Sequence, residues 1–375
     1  MNILMLNYEF PPVGGGGATV SAQMAQELVC LGHTVDVITM HYGQLPREET
    51  VNGVRILRTW ARRKKKDVCH TSEMATYLLG AYGPALKLTR QKKYDIIHAH
   101  FIIPTSPLAW QLRRRTGIPY IVTCHGSDVP GYNPDRFGLT HRLLMPVWKP
   151  LVKAANGLIS PSGSLRDLIH THCPSVPIEL IPNGFDSLLF QSDRPRKPSI
   201  LMCSRLLPRK GFQYVLEAVK DLKLDWTIHI VGEGPYLDTL KERALACRPE
   251  VIFHGWLDRN ESALRNLYET SSIFVFPSES ENFPTVLLEA MAAGMAILTS
   301  TAGGCPEVVG DAALLTEPKN PQAIREALLR LIKSNTLRQQ LSLAGRRRLE
   351  QFSWANIARR HIQAYEQVIE KTKAK

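Results

Sequence analysis

Short, wholly apolar runs alternate with helix-period segments along the entire chain. Ile3–Leu6 is followed by Gly14-Gly-Gly-Gly17 and by a helical pattern from about Ala18 to Leu31. Gly32-His33 closes that helix, and Thr34–Thr39 reads as the next strand. Tyr94–His100 and Tyr120–His125 add two more strands, each leading into a loop and a helix. After residue 198 the alternation restarts. Strands are expected at Ile200–Ser204, Thr227–Val231, Val251–Phe253, Ile273–Phe276 and Ala296–Thr299, with helices near 211–222, 235–246, 260–270 and 284–293. Strands that are apolar throughout, rather than at alternate positions, predict parallel sheets covered on both faces. The fold class is therefore α/β: two Rossmann-like, doubly wound domains facing across a cleft, where ligands bind at the carboxyl ends of strands.

Length agrees with two domains, since 375 residues exceed one comfortable core. The polar, proline-rich stretch Gln191–Pro198 is the linker candidate, which puts the domains at 1–187 and 188–356. Beyond Phe352-Ser-Trp354 the tail is helical, with a stripe at Ile357, His361, Ala364, Tyr365 and Val368.

Hydrophobic residues make up 44% of the chain and charged ones 21%, an ordinary globular balance. No run approaches the ~18 uncharged apolar residues of a spanning helix. Met1–Asn7 reads as the start of a strand and not as a leader, so the expected location is the cytoplasm. Cysteines 30, 69, 124, 173, 203, 247 and 305 form no Cys-x-x-Cys pair, which disfavours a disulfide framework or zinc site and suggests buried thiols.

Charge adds asymmetry. The formal net charge is +12, yet residues 51–115 alone hold 14 Lys/Arg against 3 Asp/Glu, a local excess of 11. The densest run is Arg62–Lys66. Its partner is expected to be anionic, and an anionic membrane surface fits better than nucleic acid, because no aromatics interleave the basic run.

The candidate chemistry sits at strand ends. Glu281 follows the apolar strand Ile273–Phe276, and Glu289 lies eight positions on, inside a helix expected to start near Pro284. The open amides of that helix start suit a phosphate. Arg205 and Lys210, five apart in the loop Ser204–Gly211, converge on an anion from a strand end. Val231-Gly-Glu-Gly-Pro235 and His254-Gly255 occupy corresponding turns, as ligand contacts or merely tight turns. In the first half, Gly14–Gly17 follows a strand and opens a helix, either as amides that approach an anionic group or as a flexible loop, and His125 closes a strand with Asp128 three residues later. His98 and His100 read as structural. No Asp-x-Asp, His-Glu-x-x-His or cysteine cluster offers a metal site.

In their order, these pieces resemble the family 4 glycosyltransferases, retaining group 1 enzymes of the GT-B architecture. The resemblance runs from the glycine loop through His125-Gly-Ser-Asp128, Ile181–Gly184, Ser204–Gly211, Val231–Pro235, the Glu281/Glu289 pair and Thr301–Glu307 to Phe352–Trp354. It implies a hexose or N-acetylhexosamine moved from a UDP- or GDP-sugar to a saccharide hydroxyl, on a lipid-linked glycan or a cell-surface polysaccharide precursor. Arg205 and Lys210 would clamp the diphosphate, with the amides of Thr285 and Val286. Glu281 would hold the donor sugar and Glu289 the ribose. His125, Gly15 and Gly16 would line the site from the first domain, onto which the helix of about 357–375 would fold back. No metal and no cofactor beyond the donor are implied. Asn282 and Pro284 stand where the family often has glycines, so one amide contact is lost. The alternatives are a nucleotide-sugar epimerase of similar architecture, which needs no acceptor, and a non-catalytic sugar-nucleotide-binding subunit.

Overall fold

The structure is a computed structural model. It describes residues 1–374 except 67, 133, 187–189, 191–193 and 259–260, and the backbone alone of 134–137. The expected boundary at 187/188, the first residues of the linker candidate and residue 260 of the expected helix lie outside the described residues.

The chain divides into two compact units, Met1–Gly184 with Trp354–Lys375, and Phe185–Ser353. In the first, the elements are β1 (Asn2–Leu6), α1 (Gly16–Cys30), β2 (Thr34–Met40), β3 (Glu48–Val51), β4 (Val54–Thr59), α2 (Thr71–Gln91), β5 (Ile96–His100), α3 (Thr105–Thr116), β6 (Tyr120–Thr123), α4 (Pro134–Ala154), β7 (Gly157–Ser160), α5 (Gly163–His172) and β8 (Glu179–Leu180). The sheet order is β3-β4-β2-β1-β5-β6-β7-β8, parallel except for the β3–β4 hairpin. Side chains alternate across the sheet. Leu4, Leu6, Ile38 and Met40 face α2, α3 and α4 through Tyr77, Leu112 and Trp148. Ile3, Met5, Val35 and Val37 point to the opposite layer.

The second unit follows with β9 (Lys197–Cys203), α6 (Phe212–Val219), β10 (Thr227–Val231), α7 (Leu237–Ala244), β11 (Val251–Phe253), α8 (Ser262–Thr270), β12 (Ser271–Phe276), α9 (Thr285–Ala292), β13 (Ala296–Ser300), α10 (Cys305–Val309), β14 (Ala313–Thr316), α11 (Pro321–Lys333) and α12 (Asn335–Leu349). Its sheet is wholly parallel in the order β11-β10-β9-β12-β13-β14. Counted from the unit's first strand this is 3-2-1-4-5-6, the doubly wound order, with its switch point between β9 and β12. One core serves both faces, from Leu201 and Phe274 to Leu288 and Leu328.

The final helix, α13 (Trp354–Lys373), belongs to the first unit. It buries Ile357, His361, Ala364, Tyr365 and Val368, all but the histidine joining the layer of Ile3 and Met5. Among the described residues no helix is long and apolar enough to cross a membrane. Cys30 is exposed, a correction to the expectation of buried thiols.

Candidate active site

In the second unit the loops after β9, β12 and β13 meet at the switch point. Leu206 N–H donates to Glu233 O at 2.8 Å, so the loop carrying Arg205 lies along the Gly232–Gly234 turn. The approach requires glycine: a Cβ on Gly232, at φ +131°, would fall 1.9 Å from the Ser204 carbonyl oxygen. The described structure thus gives this turn a role in positioning the Arg205 loop.

Three bonds fix the loop after β12. Glu279 N–H donates to Arg209 O (2.8 Å), Gly304 N–H to Glu281 O (2.8 Å), and Ser300 Oγ–H to Ser278 O (2.5 Å). Gly304 has no room for a side chain, since its Cβ would stand 1.8 Å from the Asn282 carbonyl oxygen. This brace holds Glu281 against the short 3-10 turn Pro208–Lys210, where Lys210 Nζ pairs with Glu281 Oε1. Ser278 Oγ–H donates to the same oxygen at 2.7 Å. The two paired side chains are only 13% and 11% exposed, so the contact is screened little by solvent. Below it Cys305 is buried and its thiol is pushed up to about 11, first by burial and then by the Glu281 charge.

Arg205 is exposed and, among the described residues, forms no ion pair. Glu289 lies deeper, on the second turn of α9 and 8% exposed, where Tyr268 Oη–H donates to Oε2 at 2.8 Å. Burial and then the Glu289 charge push the neighbouring Cys203 thiol up to about 12. Helix α9 begins at Thr285, with Pro284 as its N-cap and not as its first residue. No side chain caps it, so the Thr285 and Val286 amides are left as outward donors.

In the first unit the helix after the glycine loop starts earlier than the apolar pattern suggested. Gly15 is the N-cap of α1 and Gly16 its first residue, and open space lies beside both. Crowding falls on their neighbours: a Cβ on Gly17 would meet the Phe101 ring at 2.6 Å, with His125 Nδ1 at 3.5 Å. His125 follows β6. Its backbone N–H donates to Asp128 Oδ1 (2.9 Å), and Ile102 N–H donates to Oδ2 (2.7 Å). Asp128 therefore shapes the His125 loop and does not face the imidazole. Burial raises its carboxyl to about 6 against those bonds.

The sequence separated His98 and His100 from His125, and the structure joins them. His100 Nδ1 and His125 Nε2 share a proton at 3.0 Å, and the His98 and His100 rings lie 4.2 Å apart. Tyr365 Oη bonds His98 Nδ1 (2.7 Å), and the His361 ring lies 5.7 Å from that of His98. Burial lowers all four histidines: His125 to about 3, His361 to about 4, His98 and His100 well below the ordinary value. A cluster of neutral imidazoles results. Strand alternation offered a signal, since positions 98 and 100 share one face of β5.

The basic run is less uniform than its sequence. Arg63 is buried, pairs with Glu9 at 2.8 Å and bonds the carbonyls of Lys65 and Lys66. Lys66 O in turn accepts from Gly14 N–H at 2.9 Å. Arg63 staples the run to the glycine loop, and only Arg62, Lys64, Lys65 and Lys66 face solvent. Tyr268 and Ser278 were not legible as site residues. Ser278, three positions before Glu281, carried a turn signal, whereas Tyr268 is 21 residues from the carboxylate it holds.

Comparison with known proteins bears on the family and the fold. The profile of the group 1 glycosyl transferases matches residues 186–348, and that of glycosyltransferase family 4 matches residues 14–187. An uncharacterised glycosyltransferase of Methanocaldococcus jannaschii is 26% identical over 399 residues, covering 99% of each chain. Sucrose-phosphate synthase from Thermosynechococcus elongatus superposes with a TM-score of 0.82 at 22% identity, covering 99% of each chain. Anabaena HepE, solved in complex with UDP, gives 0.77 at 17% identity, covering 98% of this chain and 100% of that one. The chain belongs to the family 4, group 1 glycosyltransferases, with the two Rossmann-like units of the GT-B fold.

Proposed function

We propose that the protein is a retaining glycosyltransferase that takes a hexose or N-acetylhexosamine from a UDP- or GDP-sugar. The acceptor is a saccharide hydroxyl on a lipid-linked glycan or cell-surface polysaccharide precursor, reached at the cytoplasmic face of a membrane. One observation carries the reading: Lys210, Glu281 and the open start of α9 gather at the switch point of the second unit, beside exposed Arg205. A diphosphate needs cations and amides, and a sugar needs a carboxylate. HepE, of the same fold, was solved with UDP.

In this reading Arg205, Lys210 and the amides of Thr285 and Val286 take up the charge of the leaving diphosphate, with no metal or other cofactor. Glu281 receives donor-sugar hydroxyls and Glu289 the ribose diol. His125 and the Gly15–Gly16 backbone serve the acceptor side. The acceptor oxygen bonds the anomeric carbon on the face the phosphate leaves, while the departing phosphate oxygen takes the acceptor's proton. Contacts to charged groups are worth ~1.5–3 kcal/mol each. Two of them fall short of the ~8 kcal/mol or more of enzymatic acceleration, so aligning the substrates supplies the rest.

Nucleotide-sugars are screened by thermal shift, and the active donor is then followed by NMR with candidate acceptors in EDTA. A donor-specific rise in Tm and a product that keeps the donor's anomeric configuration are expected. An inverted product or loss of activity in EDTA contradicts the mechanism. Donor turnover without acceptor indicates an epimerase instead.

A further inference from the structure

We propose that the outer face of α4 docks on an anionic lipid surface. This helix is apolar on both sides. Its inner side buries Trp148, Leu151 and Val152 against the first unit's sheet. Its outer side exposes Leu139 (73%), Leu143 (71%) and Val147 (51%), together with Pro146 and Pro150. At 100° per residue, positions 139, 143, 146 and 150 fall within about 60° of one another. An exposed helix face ordinarily carries polar residues, and this one carries a continuous apolar stripe.

Charge identifies the occupant. Arg142, Lys149 and Lys153 are exposed in a row along one flank of the stripe. α4 has one acid, Asp135 in its first turn, whose side chain lies outside the described residues, and no further Asp or Glu occurs until Asp167. A second copy of this chain would bring the same cation-rich flank to a symmetric contact and set Arg142, Lys149 and Lys153 against their own copies. A bilayer with anionic headgroups complements both features, taking the leucines below its polar layer and the cations at it. The helix would lie on the surface, in line with the lack of any spanning helix among the described residues.

The docked helix is tied to the candidate site. Trp148 Nε1–H donates to Asp128 O at 2.8 Å, and His141 Nε2 bonds Ser127 O at 3.0 Å. Both carbonyls belong to the loop that presents His125, so an α4 held at a membrane holds that loop beside it. Only this consequence rests on the lipid-linked acceptor proposed above; the docking does not.

The full chain is sedimented with vesicles of phosphatidylcholine plus phosphatidylglycerol, and with phosphatidylcholine alone. Wild type is expected to bind the anionic vesicles, less so with added salt. The triple variant Leu139→Ser, Leu143→Ser, Val147→Ser is expected to bind about tenfold more weakly or worse. So is Arg142→Gln, Lys149→Gln, Lys153→Gln. All these positions are exposed, and circular dichroism checks the fold. Wild-type failure to bind, or undiminished binding by either triple variant, overturns the proposal. So does a lipid-free dimer, seen by sedimentation velocity, that the leucine variant dissolves. The donor-induced Tm rise is read on the same samples, so failure of the docking is distinguishable from failure of the enzymatic reading.

Discussion

Lys210 and Arg205 carry the same charge five residues apart but stand in different surroundings. Lys210 is mostly buried against Glu281, whereas Arg205 is exposed. Truncating Lys210 leaves a buried carboxylate with its Ser278 bond but without its cation, a loss of about 1–3 kcal/mol. Truncating Arg205 breaks no ion pair among the described residues. The expected pattern is therefore split. Lys210→Ala lowers Tm by several degrees and Arg205→Ala leaves it unchanged, while each lowers kcat/KM about 100-fold. Calorimetry and initial rates check this, and wild-type turnover in either variant contradicts the clamp.

Among the elements, β5 and α13 together enclose a cluster of buried histidines in the first unit. His98 and His100 come from β5, His361 and Tyr365 from α13, and His125 from the loop after β6. The four imidazoles stay neutral when folded, while in the unfolded chain each takes a proton near pH 6.5. Their stabilisation is thus complete above about pH 6.5 and is lost as pH falls towards the folded values of about 4 for His361 and about 3 for His125. Asp128, raised to about 6, has the opposite sign: its contribution is present at low pH and lost as pH rises through that value. Four groups against one give a net acid lability. Thermal unfolding of the full chain should show a marked fall in Tm between about pH 7.5 and pH 5, with a shallower slope in His361→Gln. Equal Tm at both ends contradicts the neutral cluster.

Elements also differ in how far sequence revealed them. β10 at Thr227–Val231 and β11 at Val251–Phe253 were legible to the residue, because polar turns bound their apolar runs closely. The β3–β4 hairpin was not foreseen. Glu48–Val51 is a polar edge strand without alternation, although the positive φ of Asn52 and Gly53 marks a turn that this dipeptide favours. The outer stripe of α4 was hidden because Leu139 and Leu143 look like core residues until exposure is known. Site residues at strand ends were legible by position. Partners such as Tyr268 and His100 were not, because packing of separate elements brings them in.

On the scale of the whole molecule, chemistry and charge are divided. The second unit gathers the groups suited to a nucleoside diphosphate, while the first unit holds the exposed cations near residues 62–66 and the α4 stripe. The central claim concerns the second unit, and titration calorimetry of UDP and GDP against wild type and Arg205→Ala tests it most directly. The account predicts one site for one of the two nucleotides, with affinity reduced about tenfold or more in the variant, the ~1.4 kcal/mol or more expected of one charged contact. Equal affinity in the two proteins, or no binding of either nucleotide to wild type, would contradict it.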